Sequence, residues 1–123
     1  MQSLTMSKLA AIAFFALRTK TKSNISSIYS YESSQYYQFS ISSQGSIIGV
    51  FDYQRGNYLT GNPKGNGWSV FDYSDSQYVD FSYKNNGYSV YDYSSSSYID
   101  IVIRQNSIEL YSYANGKYYT FGY

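Results

Sequence analysis

From about Ser26 onward the chain alternates apolar and polar positions, in blocks of about eight residues that break roughly every ten. Alternation with a period of two marks a half-buried strand, because successive strand side chains point to opposite faces. The blocks repeat. Gly67-Trp-Ser-Val-Phe-Asp-Tyr-Ser74 and Gly87-Tyr-Ser-Val-Tyr-Asp-Tyr-Ser94 lie twenty residues apart, and Ser46–Tyr53 and Ser107–Tyr113 are looser copies. Between them fall Gln77–Lys84, Ser97–Arg104 and Lys117–Tyr123. Each twenty-residue unit therefore holds two strands, and the repeat predicts about ten strands in all.

The breaks are short and rich in turn residues: Gln44-Gly45, Arg55-Gly56, Gly65-Asn66, Asp75-Ser76, Asn85-Asn86, Ser95-Ser96, Gln105-Asn106 and Asn115-Gly116. Asn-Gly and Asn-Asn tolerate the positive φ of two-residue hairpin turns. Folding the strands over such turns places Tyr83 opposite Tyr88, Phe81 opposite Val90 and Val79 opposite Asp92. It also sets Val90 against Ile101, Tyr88 against Ile103, and Ile103 against Ile108. No strand switches face, as a real register demands. One face collects Trp68, Val70, Phe81, Val90, Ile101, Leu110 and Phe121, the expected core or assembly face. The other carries Tyr53, Tyr58, Tyr73, Tyr78, Tyr93, Tyr98, Tyr113 and Tyr118 in one row, an expected packing ladder or ligand platform.

Residues 1–25 break the pattern. Leu9–Leu17 is an apolar, alanine-rich stretch flanked by Lys8 and by Arg18, Lys20 and Lys22. It favours helix and is too short to span a bilayer. The division is thus an N-terminal helical segment, 1–25, and a repeat β-sheet domain, 26–123. The favoured reading is a helix of three to four turns packing on the sheet, and the alternative is a secretion or membrane-interface segment.

Three architectures compete for the strands. Tight turns at both ends accumulate almost no stagger, which disfavours a closed barrel. A solenoid would stack Asp52, Asp72 and Asp92 about 4.8 Å apart, like charge on like. An open antiparallel meander avoids both problems and is the expected fold: mainly β, with one short helix before it. Such a sheet is about 48 Å wide, whereas a fifteen-residue helix is about 22 Å long. The helix would leave much of the apolar face bare, and two strand edges would stay unpaired.

Chemistry narrows the function. The chain has no His and no Cys, which removes the commonest general base, the most nucleophilic side chain and thiolate or imidazole metal sites. A net charge of +1 with 14% charged residues carries no electrostatic footprint for duplex nucleic acid. Glu32, Asp52, Asp72 and Asp92 fall at the turn-side margin of the apolar face, with Ser112 continuing the series. Repetition argues against a catalytic pair, which needs two unlike environments, and points to structural hydrogen bonding. Neither a metal site nor a cofactor is expected. The 18 tyrosines are the abnormal feature. The expectation is a non-catalytic structural protein that self-assembles into a filament, matrix or larger complex. The alternative is a binding module whose flat Tyr row grips an extended ligand such as polysaccharide. The compartment stays open, with the cell surface or exterior favoured.

Overall fold

The computed structural model describes residues 3–21 and 24–123; Met1, Gln2, Ser23 and the flanking Lys22 lie outside the described residues. One helix, α1 (Met6–Lys20), precedes ten strands. These are β1 (Ser27–Ser30), β2 (Gln35–Gln44), β3 (Ile47–Asp52), β4 (Asn57–Pro63) and β5 (Gly67–Asp72). They continue as β6 (Gln77–Lys84), β7 (Gly87–Asp92), β8 (Ser97–Ile103), β9 (Ser107–Ser112) and β10 (Lys117–Gly122). Every strand pairs antiparallel with its chain neighbours, and β1 pairs with β10 through Tyr29↔Gly122 and Ser30↔Phe121. The sheet is therefore a closed up-and-down barrel, not the open meander expected from the sequence.

Loop length explains the difference. At one end of the barrel the connections are tight: Lys84 pairs with Gly87 and Gln44 with Ile47, leaving two residues between. At the other end four residues intervene, as between Asp72 and Gln77, or Asp92 and Ser97. The last residue of each longer loop turns left-handed: Ser34, Gly56, Ser76, Ser96 and Gly116 have φ between 51 and 65°. The two extra residues shift the register. Val70 pairs with Val79, which pairs with Asp92, two residues beyond Val90, the repeat copy of Val70. Each repeat thus adds stagger in the same direction, and stagger is what lets a sheet close. Pairings across the tight turns stand as expected, with Phe81↔Val90 and Ile101↔Leu110. Those across the longer loops move by two: Val90 meets Ile99 rather than Ile101, and Tyr88 meets Ile101 rather than Ile103. A shift of two keeps every side chain on its face.

The helix does not lie on the sheet; the sheet wraps around it. Leu9 through Leu17 are all buried, on every side of α1. A helix apolar all round needs such an enclosure. Its contacts span the barrel: Phe14 stacks on Phe39 of β2 at 4.3 Å, and Phe15 meets Phe81 of β6 at 5.3 Å. Thr19 Oγ1 hydrogen-bonds Tyr88 Oη of β7 at 2.6 Å, and Asn115, after β9, bonds the backbone of Leu4. Local signals shape the helix itself. Thr5 caps the N-terminus by accepting from Lys8 N, while Arg18 and Lys20 sit in the last turn, where the helix dipole favours cations. Ala10, Ala11, Ala13 and Ala16 keep it slim. Opposite Phe15 the wall gives way at Gly61, where a Cβ would lie 2.2 Å from Phe15 Cζ.

Val70, Phe81, Val90, Ile101, Leu110 and Phe121 line this lumen and are buried against the helix; Trp68 is half-buried near the tight-turn end. The bare apolar face expected of an open sheet is not there, because curvature brought the whole face onto one short helix.

Candidate functional site

With its lumen filled, the barrel presents its chemistry on the outer wall. Asp52, Asp72 and Asp92 end β3, β5 and β7 with side chains turned inward and fully buried. Each caps the loop that follows: Asp52 Oδ1 accepts from Gln54 N, Asp72 Oδ1 from Ser74 N and Asp92 Oδ1 from Ser94 N. Ser30 and Ser112 do the same for Ser33 N and Asn115 N. These side-chain-to-backbone turns hold the longer loops in one shape. Glu32, expected in this series, instead lies on the surface paired with Lys117, and Ser30 takes its place.

The residue after each cap is a tyrosine that swings outward. There it meets an aromatic from the end of the preceding strand, which in turn packs across to the next strand. Phe71 contacts Tyr73 at 4.7 Å and Tyr78 at 5.0 Å, and Tyr91 contacts Tyr93 at 4.8 Å and Tyr98 at 4.9 Å. Phe51 groups Tyr53 with Tyr58, Tyr111 groups Tyr113 with Tyr118, and Tyr29 groups Tyr31 with Tyr36. Nearly all these contacts are edge-to-face, the favoured aromatic geometry. All eight tyrosines of the expected row are on this wall, 48–65% exposed. Barrel closure has changed the row's form, however. It is a convex belt of separate clusters around the loop end, not a flat platform.

Between two clusters the belt dips. A shallow groove of about 360 Å³ runs between Tyr78 and Tyr93, with Asp80 and Ser69 as its floor and Lys64 and Gln77 at its margin. Tyr93 Oη donates to Asp80 Oδ2 at 3.1 Å, and a second hollow of about 330 Å³ lies on the other side of that bridge. The next repeat carries the same parts. Tyr113 Oη donates to Asp100 Oδ2 at 2.8 Å, beside Tyr98, and Lys84, twenty residues after Lys64, stands 3.6 Å from Asp100. The hydrogen bond to Asp80 and the charge of that carboxylate push the Tyr93 phenol up; Asp100 does the same to Tyr113. Both phenols stay protonated donors, and each carboxylate keeps acceptor capacity for a further hydroxyl.

A second set of charges is internal. Lys8 Nζ lies 2.6 Å from Asp72, 2.7 Å from Asp75 and 3.5 Å from Asp92. Arg55 bridges Asp52 at 2.6 Å and Asp72 at 2.8 Å. Burial alone would lower the Lys8 pKa, but Asp72, Asp75 and Asp92 together outweigh it, and the ammonium is held above its ordinary value. Burial would raise Asp72, yet Lys8 and Arg55 hold it below the usual carboxylate range. This network ties the first turn of α1 to β3, β5 and β7. Its carboxylates pair with Lys8 and Arg55, while Arg55 Nη2 is buried without a hydrogen-bond partner. Its position, linking the helix to three strands, marks it as a structural clamp.

Two features of these sites escaped sequence reasoning. Lys8 read only as a flank of the apolar stretch, and no local signal ties it to Asp72 and Asp92, which it meets only because the barrel closes around α1. The Tyr–Asp pairs were legible in principle, since Asp80/Tyr93 and Asp100/Tyr113 recur at the same thirteen-residue separation. No protein-family model, curated protein or solved structure matches the chain. No helix among the described residues is long and apolar enough to cross a membrane.

Proposed function

We propose that the protein is a non-catalytic recognition module that binds carbohydrate through the tyrosine grooves of its outer wall. The observation that supports this reading is the repeated Tyr–Asp–Tyr unit, Tyr78/Asp80/Tyr93 and Tyr98/Asp100/Tyr113. Aromatic faces suit the apolar faces of sugar rings, and a carboxylate already held by a phenol offers an oriented acceptor to sugar hydroxyls. The groove's volume suits one or two sugar units. The Tyr–Asp–Tyr pattern recurs twenty residues on, and a second contact there would add avidity for a chain that reaches both.

Curvature refines the ligand. A convex belt cannot lie flat on a crystalline surface, so the reading favours soluble or amorphous polysaccharide, chain ends and branches over crystalline cellulose or chitin. The self-assembly reading drew on free strand edges and a bare apolar face, and the closed barrel lends it neither.

Affinity electrophoresis in soluble glucans, xylans and chitin oligosaccharides, with pull-downs on amorphous and crystalline cellulose, tests the proposal. Retardation in at least one soluble glycan is expected, lost when Tyr78 and Tyr93 are changed to Ser in a protein with a near-native melting midpoint. Absence of retention on every glycan, or retention unchanged by that double substitution, overturns it.

A further inference from the structure

Among the exposed tyrosines, Tyr93 and Tyr113 are set apart by their partners. Each phenol donates to a carboxylate, Asp80 and Asp100 respectively, and each is about half exposed, at 48% and 52%. Tyr36 and Tyr118 are more open, at 64% and 65%, but within the described residues neither donates to a carboxylate. The difference matters for one reaction of phenols. Removing an electron from a phenol turns it into a strong acid, so oxidation is fastest where a base already accepts its proton. With no cysteine in the chain, no thiol competes for the oxidant.

We propose that Tyr93 and Tyr113 are modification sites at which one-electron oxidation couples copies of this chain through dityrosine. The oxidant is an outer-sphere one-electron acceptor or the oxidised haem of a peroxidase. Each phenol gives its electron to that oxidant and its proton to Asp80 or Asp100, which passes the proton to solvent. Two tyrosyl radicals on different copies then join through ring carbons ortho to oxygen. The hydrogens on those carbons move to the oxygens as the rings regain aromaticity. The balance is two tyrosines to one dityrosine, with two electrons and two protons released.

Geometry directs the coupling between copies rather than within one. Tyr93 meets Tyr91 at an interplanar angle of 81°, and Tyr113 meets Tyr111 at 86°. In that arrangement the edge of one ring faces the plane of the other, so the two ortho carbons do not meet. The outer edges of Tyr93 and Tyr113 remain open to a second barrel. Two sites per chain make linear polymers accessible, whereas one site stops at dimers. This inference stands apart from the carbohydrate reading, since coupling needs no glycan.

The test is photo-oxidation of the full chain with ruthenium tris-bipyridyl and persulfate. It is followed by dityrosine fluorescence, denaturing gels and mass-spectrometric mapping of linked peptides. Wild type is expected to give a ladder of oligomers linked through Tyr93 and Tyr113. Tyr93→Phe or Tyr113→Phe alone leaves mainly dimers, and the pair together lowers the initial rate several-fold. Asp80→Asn with Asp100→Asn keeps both phenols yet lowers the rate several-fold and shifts links to other tyrosines. Tyr36→Phe with Tyr118→Phe leaves rate and ladder unchanged. Links distributed by exposure alone, with Tyr36 and Tyr118 leading, overturn the proposal. So does a rate and peptide map indifferent to the Asp→Asn pair in protein of native melting behaviour.

Discussion

Each strand of this barrel has an inner and an outer face, and the two obey the repeat differently. On the outer wall, positions 53, 73, 93 and 113 are all Tyr, as are 58, 78, 98 and 118. On the inner wall the series at 61, 81, 101 and 121 reads Gly, Phe, Ile, Phe. An outer aromatic packs against aromatics that are copies of one another in every repeat, so one solution serves all. An inner residue packs against α1, which has no repeat. Gly61 faces Phe15 at close range, while Phe81 packs against the same ring at 5.3 Å. This inner row is asymmetric because its partner is, whereas the buried row at Val50, Val70, Val90 and Leu110 keeps the repeat.

Charges follow the same division. Asp72 inside is fully buried between Lys8 and Arg55, whereas Asp100 outside stands 3.6 Å from a Lys84 that is more than half exposed. Breaking a buried pair strands a charge in a medium that cannot solvate it; an exposed pair is replaced by water at little cost.

Substitutions sharpen this contrast, beginning with the helix. Removing the first 21 residues withdraws Leu9, Ile12, Phe14, Phe15 and Leu17, each worth about 1.5–3 kcal/mol on burial. The sum rivals the entire stability of a typical domain, about 5–15 kcal/mol. The shortened chain is expected to lose the barrel, and circular dichroism with cooperative unfolding checks it. A native, cooperative barrel without α1 would break the claim that the helix is the core.

Next comes the clamp. Lys8→Met leaves Asp72 and Asp92 facing a thioether, at an expected cost of about 3–5 kcal/mol in urea denaturation. Its pH dependence carries a sign. The Asp72 pKa is depressed, so its contribution is present above the unfolded value of about 4 and lost as pH falls through the folded one. The Lys8 pKa is raised, so its contribution is present below about 10 and lost as pH rises through the folded value. Wild type should weaken at both extremes, and Lys8→Met should lack the Lys8 share of the alkaline loss.

Gly61→Ala drives a methyl into the Phe15 ring and is expected to cost about 1–3 kcal/mol by overpacking. Phe15→Leu in the same chain should recover part of that loss, a coupling read from a double-mutant cycle. Smallest is Tyr73→Ser on the outer wall, expected to cost less than about 1 kcal/mol of cross-strand aromatic contact. A larger loss would mean the belt holds the barrel together, and would weaken the case that its tyrosines are there for a ligand.

Much of the fold was legible because strand periodicity is local. The two-residue alternation placed Val70, Phe81, Val90, Ile101 and Leu110 on one face and the tyrosine row on the other, and both assignments match the burial of these residues. The closure was not legible, and the reason lies in the loops. Asp75-Ser76 and Ser95-Ser96 look like two-residue turns, but the buried Asp72 and Asp92 cap backbone amides two residues on, beginning each turn earlier. That lengthens each loop by two residues and shifts each register by two, a change that leaves the face pattern untouched. The Tyr–Asp bridges are a different case: Tyr93 reaches Asp80 diagonally across β6 and β7, a pair whose register matched the expected one, so the diagonal was open to reading from the sequence.

The sequence by itself determined the number of strands, which side of each is apolar, the helix and its uniform apolarity, and the spacing of the tyrosines. These follow from steric alternation and helix propensity, which act between residues close along the chain. Only the tertiary structure decided that the sheet closes, that the helix sits within it, and that Lys8 meets Asp72 and Asp92. Each of those depends on stagger summed over ten strands, and a sum over the whole circuit is not written in any one turn.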